Sequence, residues 1–204
     1  QKMGAVTGGI SARTSLLDDP ENLDSFSASF ELKGKALVRN RDGLFGLLRD
    51  FLVTPDFSDL QRIHTVLNQL KISLENSIPQ SGHTYAARTA AACLSPAANR
   101  REQWAGLAQV ALVRSLAVKS VEQLQEAADI LQQIAKQLFC RQQLQAVVTV
   151  EAPHFSQFET SLDALLGELP EASAGAKAVV PEFTPALKRQ GWIWSVPVNY
   201  VTRV

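Results

Sequence analysis

The chain has 204 residues, and its 20 Lys and Arg are matched by 20 Asp and Glu. A neutral balance excludes a bulk field that would draw nucleic acid or an anionic membrane. No apolar run reaches the roughly 18 residues of a membrane span, and the first residues have neither the basic start nor the apolar stretch of a signal peptide. A chain of this length buries roughly two thirds of its unfolded surface, so a core forms without staples. Cys93 and Cys140 are far apart and belong to no C-x-x-C pair, and they read as reduced, buried thiols.

Residues 4–17 are Gly, Ser, Thr, Val and Ile around Gly8-Gly9, the composition of an extended segment with a bend. Asp18-Asp19-Pro20-Glu21-Asn22 is a turn. After Ser25 the residues alternate, with Phe26, Ala28, Phe30 and Leu32 on one face, which predicts a half-buried strand antiparallel to the first. Asn40 is placed to cap a helix with Asp42 in its first turn and Leu44, Leu47, Leu48 and Phe51 as its stripe; Pro55 ends it. Ser58 and Gln61 have capping-box spacing ahead of a helix striped by Leu60, Ile63, Leu67, Leu70 and Leu74.

That helix breaks at Ile78-Pro79. Ser81 is expected to cap the next, an alanine-rich helix over residues 82–94 whose lack of bulk suits close packing in a helical layer. A second break at Ser95-Pro96 leads into a helix carrying Trp104. Ser120 to Gln123 repeats the capping-box pattern before a stripe of Val121, Leu124, Ala128, Leu131, Ala135 and Leu138. Residues 144–150 read as a buried strand by their β-branched content, and Ser156 to Glu159 as a third box before a helix with Phe158, Leu162, Leu165, Leu166 and Leu169 inside. Residues 171–190 are the linker candidate, and Trp192, Trp194, Val196, Val198 and Tyr200 share one face of a last strand. Segregated strands and helices indicate an α+β fold, a mainly antiparallel sheet with helices on one face. The chain ends inside the last strand, so both ends read as cuts in a longer polypeptide.

Catalytic zinc peptidases need two imidazoles on one helix face and a carboxylate that acts on the metal-bound water, written H-E-x-x-H or H-x-x-E-H. His64, His83 and His154 are too scattered to match either form. Ser81 or Cys93 with His83 is the one arrangement from which a nucleophile and base could be drawn, and it requires an orienting group and an oxyanion hole as well. Capping accounts for Ser81 more simply. No G-x-G-x-x-G or P-loop run is present to cradle a phosphate, Arg39, Arg41, Arg100 and Arg101 form only short basic pairs, and the acidic turn around Asp18, Asp19, Glu21 and Asp24 lacks EF-hand spacing.

Several blocks, in order along the chain, resemble the presequence-protease branch of the pitrilysin and insulinase zinc metallopeptidases. TGGIS from Thr7 resembles a glycine-rich strand of that family's third domain, and ALVRNRDGLFGLLRDFLVTPDF its first helix. LNQLKISLENSIPQSGHTYAARTAAACLSPA is the most specific block, and PVNYV from Pro197 is similar to the strand that opens the fourth domain. The resemblance implies four related α+β domains enclosing a chamber, with zinc held by the first through H-x-x-E-H and a carbonyl-polarising arginine and tyrosine supplied by the fourth. This chain contains neither segment.

The resemblance therefore implies a non-catalytic domain over 1–170, truncated at its N-terminus, a linker over 171–190, and the first strand of a following domain over 191–204. It carries no catalytic, cofactor or metal residue over; zinc belongs to the parent enzyme. Ser81, His83 and Tyr85 are the candidate chamber-lining residues. The implied partners are the remaining domains of the same polypeptide and an unfolded peptide substrate, with no nucleic acid and no membrane. The implied location is the cytoplasm of a bacterium or an organelle lumen of a eukaryote. The alternative is a stand-alone, non-catalytic interaction module of the same fold.

Overall fold

The computed structural model describes residues 7–172, 183–186, 189–195 and 198–204. Two strands, β1 (Ile10–Asp18) and β2 (Phe26–Gly34), form an antiparallel hairpin. Among the described residues six α-helices follow: α1 (Arg41–Leu52), α2 (Leu60–Ala91), α3 (Pro96–Ala105), α4 (Leu107–Ala117), α5 (Gln125–Leu138) and α6 (Phe155–Glu168). The architecture is α+β, as the segregation of strand and helix patterns predicts.

The hairpin turn is built by its own acidic residues. Asp19 Oδ1 accepts from Glu21 N–H and Asn22 Oδ1 from Asp24 N–H, each at 3.0 Å, which is the local side-chain bonding that favours Asp and Asn in turns. Across the strands Arg13 pairs with Glu31 at 2.8 Å, and Lys33 joins the same carboxylate at 3.1 Å.

The chain divides into two compact units. The first comprises the start of β1, the end of β2, and α1, α5 and α6. Its core gathers Leu52, Leu165 and Leu169 with Leu32, Phe45, Leu48, Phe139 and Leu144, and the rings of Phe45 and Phe158 meet edge to face at 6.0 Å. The stripes read from α1 and α6 therefore do meet. Arg41 donates to Gln157 at 3.0 Å, and Arg49 pairs with Glu168, joining the same two helices at their surface. The second unit comprises the hairpin tip, α2 to α4 and the C-terminal residues, around Ile78, Tyr85, Leu107 and Val110.

The helix starts differ from the expected caps, for one recurring reason. A side-chain cap needs an extended residue before the first turn. Asn40 instead ends a 3-10 turn (Val38–Asn40) with φ −104° and ψ 12°, and its side chain makes no cap bond. His154, not Ser156, precedes α6, at the end of the 3-10 turn Ala152–His154, and again no side chain caps. At the second box only the reach-back half forms: Gln123 Oε1 accepts from Ser120 N–H at 2.9 Å, while the Ser120 hydroxyl turns to Glu122.

Asp59, one residue later than expected, caps α2 by accepting from Arg62 N–H at 2.8 Å. Ser58 is drawn out of that position because its own N–H is bonded to Asp56 Oδ1 at 2.9 Å. Ser95 behaves as expected: it is extended, accepts from Ala98 N–H at 3.1 Å and precedes Pro96 at the first helical position.

The break at Pro79 is a bend rather than an interruption. α2 runs on as one element through Pro79, and only Ser81 leaves helical geometry, at φ −122° and ψ 21°. Proline removes one N–H from the ladder and crowds the preceding turn, and one unwound residue relieves both without ending the helix. Ser81 is thus the hinge of the bend, not a cap.

Residues 144–150 form no strand. Their β-branched side chains favour extension, but a strand exists only with a ladder partner, and Val147 stands 94% exposed. Residues 192–195 and 198–200 likewise carry no ladder, although Trp194 packs against the second core. The linker candidate lies largely outside the described residues.

Helix α5 inverts the usual arrangement. Ala128 and Ala135 are buried, whereas Ile130 and Ile134 are about half exposed, at 49% and 50%.

Candidate functional site

The three histidines are not brought together. His64 lies on the first arm of α2, with Nε2 3.2 Å from Asn68 Nδ2, and His154 stands at the start of α6. His83 is exposed beyond the bend, its ring 6.1 Å from that of Tyr200. Among the described residues no three of His, Cys, Asp and Glu converge as a metal cage. The acidic turn that could suggest calcium is spent on its own backbone, and Asp18 is paired with Arg101 at 2.6 Å.

Nor is a nucleophile and base pair assembled. The Cys93 thiol donates to the Ala90 carbonyl at 3.3 Å, and among the described residues no hydrogen bond joins His83 to Cys93 or Ser81. A hydrolytic dyad needs that bond.

The bend of α2 organises the remaining polar groups. Ser77 donates to the Leu74 carbonyl at 2.7 Å, which uses its one hydrogen, so at 2.8 Å it accepts from the Tyr85 hydroxyl. Tyr85 is therefore a core residue with a satisfied hydroxyl. Of the three candidate lining residues, Ser81 is partly exposed and His83 fully, while Tyr85 supports them from inside.

A second polar feature, absent from the sequence reading, joins α3 to α4. Gly106 ends one helix and begins the next, with its N–H bonded to the Glu102 carbonyl at 2.9 Å. The Glu102 side chain folds over it, and Oε1 accepts from Leu107 N–H at 2.9 Å and from Ala108 N–H at 3.3 Å. A carboxylate there caps two orphan donors and meets the positive end of α4. Its other oxygen, Oε2, and Thr89 Oγ1 are buried without hydrogen-bond partners among the described residues.

Burial makes the Glu102 carboxyl hold its proton to higher pH than an ordinary glutamate, against the opposing pull of the Ala108 and Leu107 N–H groups, the nearby Thr89 hydroxyl and Arg88. A raised folded-state value means that the native state binds more protons than the unfolded chain just above the ordinary carboxyl range, so this group's contribution falls as pH rises through that window. Glu102→Gln keeps one acceptor for α4 and places an amide donor near Thr89. We expect its stability relative to the parent to improve as pH rises from about 4 to 7, measured by urea unfolding at each pH. An unchanged difference across that range would refute the assignment.

Sequence relationships supply the family. A family model whose description reads "peptidase M16, subfamily C, associated" matches residues 1–116, which span the hairpin, the bend of α2 and the Glu102 corner. The chain belongs to this peptidase-associated family.

This peptidase-associated chain is 35% identical over 142 residues to a mitochondrial presequence protease of Yarrowia lipolytica, covering 69% of the chain and 14% of that relative. It is 28% identical over 201 residues to presequence protease 1, chloroplastic/mitochondrial, of Arabidopsis thaliana, covering 98% of the chain and 18% of the relative. A mitochondrial presequence protease of Danio rerio is 32% identical over 117 residues, 57% of the chain and 11% of the relative. The chain thus spans less than one fifth of the length of these relatives. No described helix is long and apolar enough to cross a membrane.

Proposed function

We propose that this chain is one part of a larger zinc metalloendopeptidase that degrades unfolded peptides inside an enclosed chamber, and that it supplies wall and contact surface rather than chemistry. The observation that carries this reading is the match to a small fraction of proteins named as presequence proteases, in a chain whose histidines stand apart. The residues present do not fit a catalytic zinc, so no step is routed through a metal here. In this reading residues 1–170 form the domain, 171–190 a linker and 191–204 the start of the next domain. Ser81 and His83 face the chamber with Tyr85 behind them, and the peptide and the other domains are the partners. The location is an organelle of the kind that the relatives' names give for them.

Selectivity in such a device comes from enclosure, since only a small or unfolded chain enters. The purified 204-residue chain is expected to carry no stoichiometric zinc by metal analysis and to leave an unfolded test peptide intact. One tightly bound zinc per chain would overturn the proposal. An open reading frame that encodes H-x-x-E-H upstream would support it, and a frame without that motif would favour a stand-alone interaction module.

A further inference from the structure

The last residues of the second unit form no regular element, yet two of their side chains are held. Trp194 packs against the core cluster of Ile78, Tyr85, Leu107 and Val110. The Arg114 guanidinium lies 5.3 Å from the Trp194 ring centroid while its Nε reaches the Glu75 carboxylate at 3.2 Å, so one cation is shared between a ring and a carboxylate. Tyr200 donates to the Pro79 carbonyl at 2.9 Å, and its ring rests on Gly82. A Cβ built on Gly82 would collide with that ring. Near these anchors Ile193 and Val201 stay almost fully exposed.

The chemistry of the bend explains why a tyrosine fits. Pro79 and Ser81 open the ladder, and Gly82, buried and without a side chain, leaves bare backbone beside the opening. An aromatic ring covers that backbone and its hydroxyl satisfies the carbonyl, so a single residue type meets both needs.

We propose that the bend of α2 is a seat for Tyr200, and that Tyr200 and Trp194 form a two-anchor latch that holds the C-terminal segment on the second unit and releases as one step. Two anchors separated by exposed residues make an element that opens at far lower cost than global unfolding. Release strips the bend of its cover and frees Trp194 from the shared arginine. The inference is independent of the proposed function.

The test uses the 204-residue chain with Trp104→Phe and Trp192→Phe, which leaves Trp194 as the sole indole. Tyr200→Phe removes only the hydrogen bond, Tyr200→Ala the anchor, and Gly82→Ala blocks the seat. Amides of residues 80–86 are expected to exchange roughly two- to tenfold faster in Tyr200→Phe, and faster still in the other two. Trp194 emission moves to longer wavelength in Tyr200→Ala and Gly82→Ala. Should Gly82→Ala lose its helical circular dichroism, Tyr200→Ala alone decides. Unchanged exchange at the bend, or unchanged Trp194 emission in Tyr200→Ala, would show that no coupled latch exists.

Discussion

Leu124→Ala is expected to lower the unfolding free energy by about 3 to 5 kcal/mol, the range found when a fully buried leucine is truncated and its neighbours relax only partly. Leu124 has 0% exposure and lies in the 3-10 turn Glu122–Leu124, which packs against α2 just before α5 begins. The removed atoms lose their transfer free energy and leave a void bounded by helix backbone that cannot easily collapse. For a chain of this size the midpoint of thermal unfolding should drop by roughly 6 to 20 °C. Leu124→Met, which conserves volume, should cost less than about 1.5 kcal/mol. Urea titrations of the three proteins check both numbers. A loss below about 1.5 kcal/mol for the alanine variant would mean that this turn is not part of the core.

Gly106→Ala should be nearly as damaging, although alanine usually stabilises a chain by restricting its unfolded state. The backbone of Gly106, at φ −107° and ψ −158°, is open to any residue, so the cost is purely one of space. The new methyl would lie within the Glu102 carboxylate and 2.6 Å from the Glu102 carbonyl oxygen. The side chain can swing away, but Leu107 and Ala108 N–H then lose their acceptor, a cap worth about 0.5 to 2 kcal/mol. The carbonyl cannot move without tilting α3, and forced overpacking adds about 1 to 3 kcal/mol. Against an entropic gain of about 0.4 to 1 kcal/mol the net loss is expected to be about 2 to 4 kcal/mol. Chemical denaturation of the single variant, and of the pair with Glu102→Ala, separates the two costs. A single variant within about 0.5 kcal/mol of the parent would show that the corner is loose.

The hairpin, the stripes of α1 and α6 and the cap at Ser95 were legible in the sequence because each depends on residues close together in the chain. The starts of α1, α5 and α6 were not, because a 3-10 lead-in uses the same Asn and Ser residues without needing their side chains. Residues 144–150 have the composition of a strand, but composition cannot report whether a neighbouring backbone is in reach. The Glu102 corner left one faint trace, a carboxylate four residues before a glycine. The anchoring of Tyr200 on Gly82 left none, because contacts across more than a hundred positions are fixed by the fold.

Along α5 the customary hierarchy of side-chain size is reversed, with methyl groups inward and branched chains outward. The helix therefore seats by closeness of main chain rather than by bulk. Its tightness has no slack to absorb an added methylene on the inner side, while the outer side has almost nothing to lose by trimming. Evolution along this helix is free to subtract and constrained against enlargement.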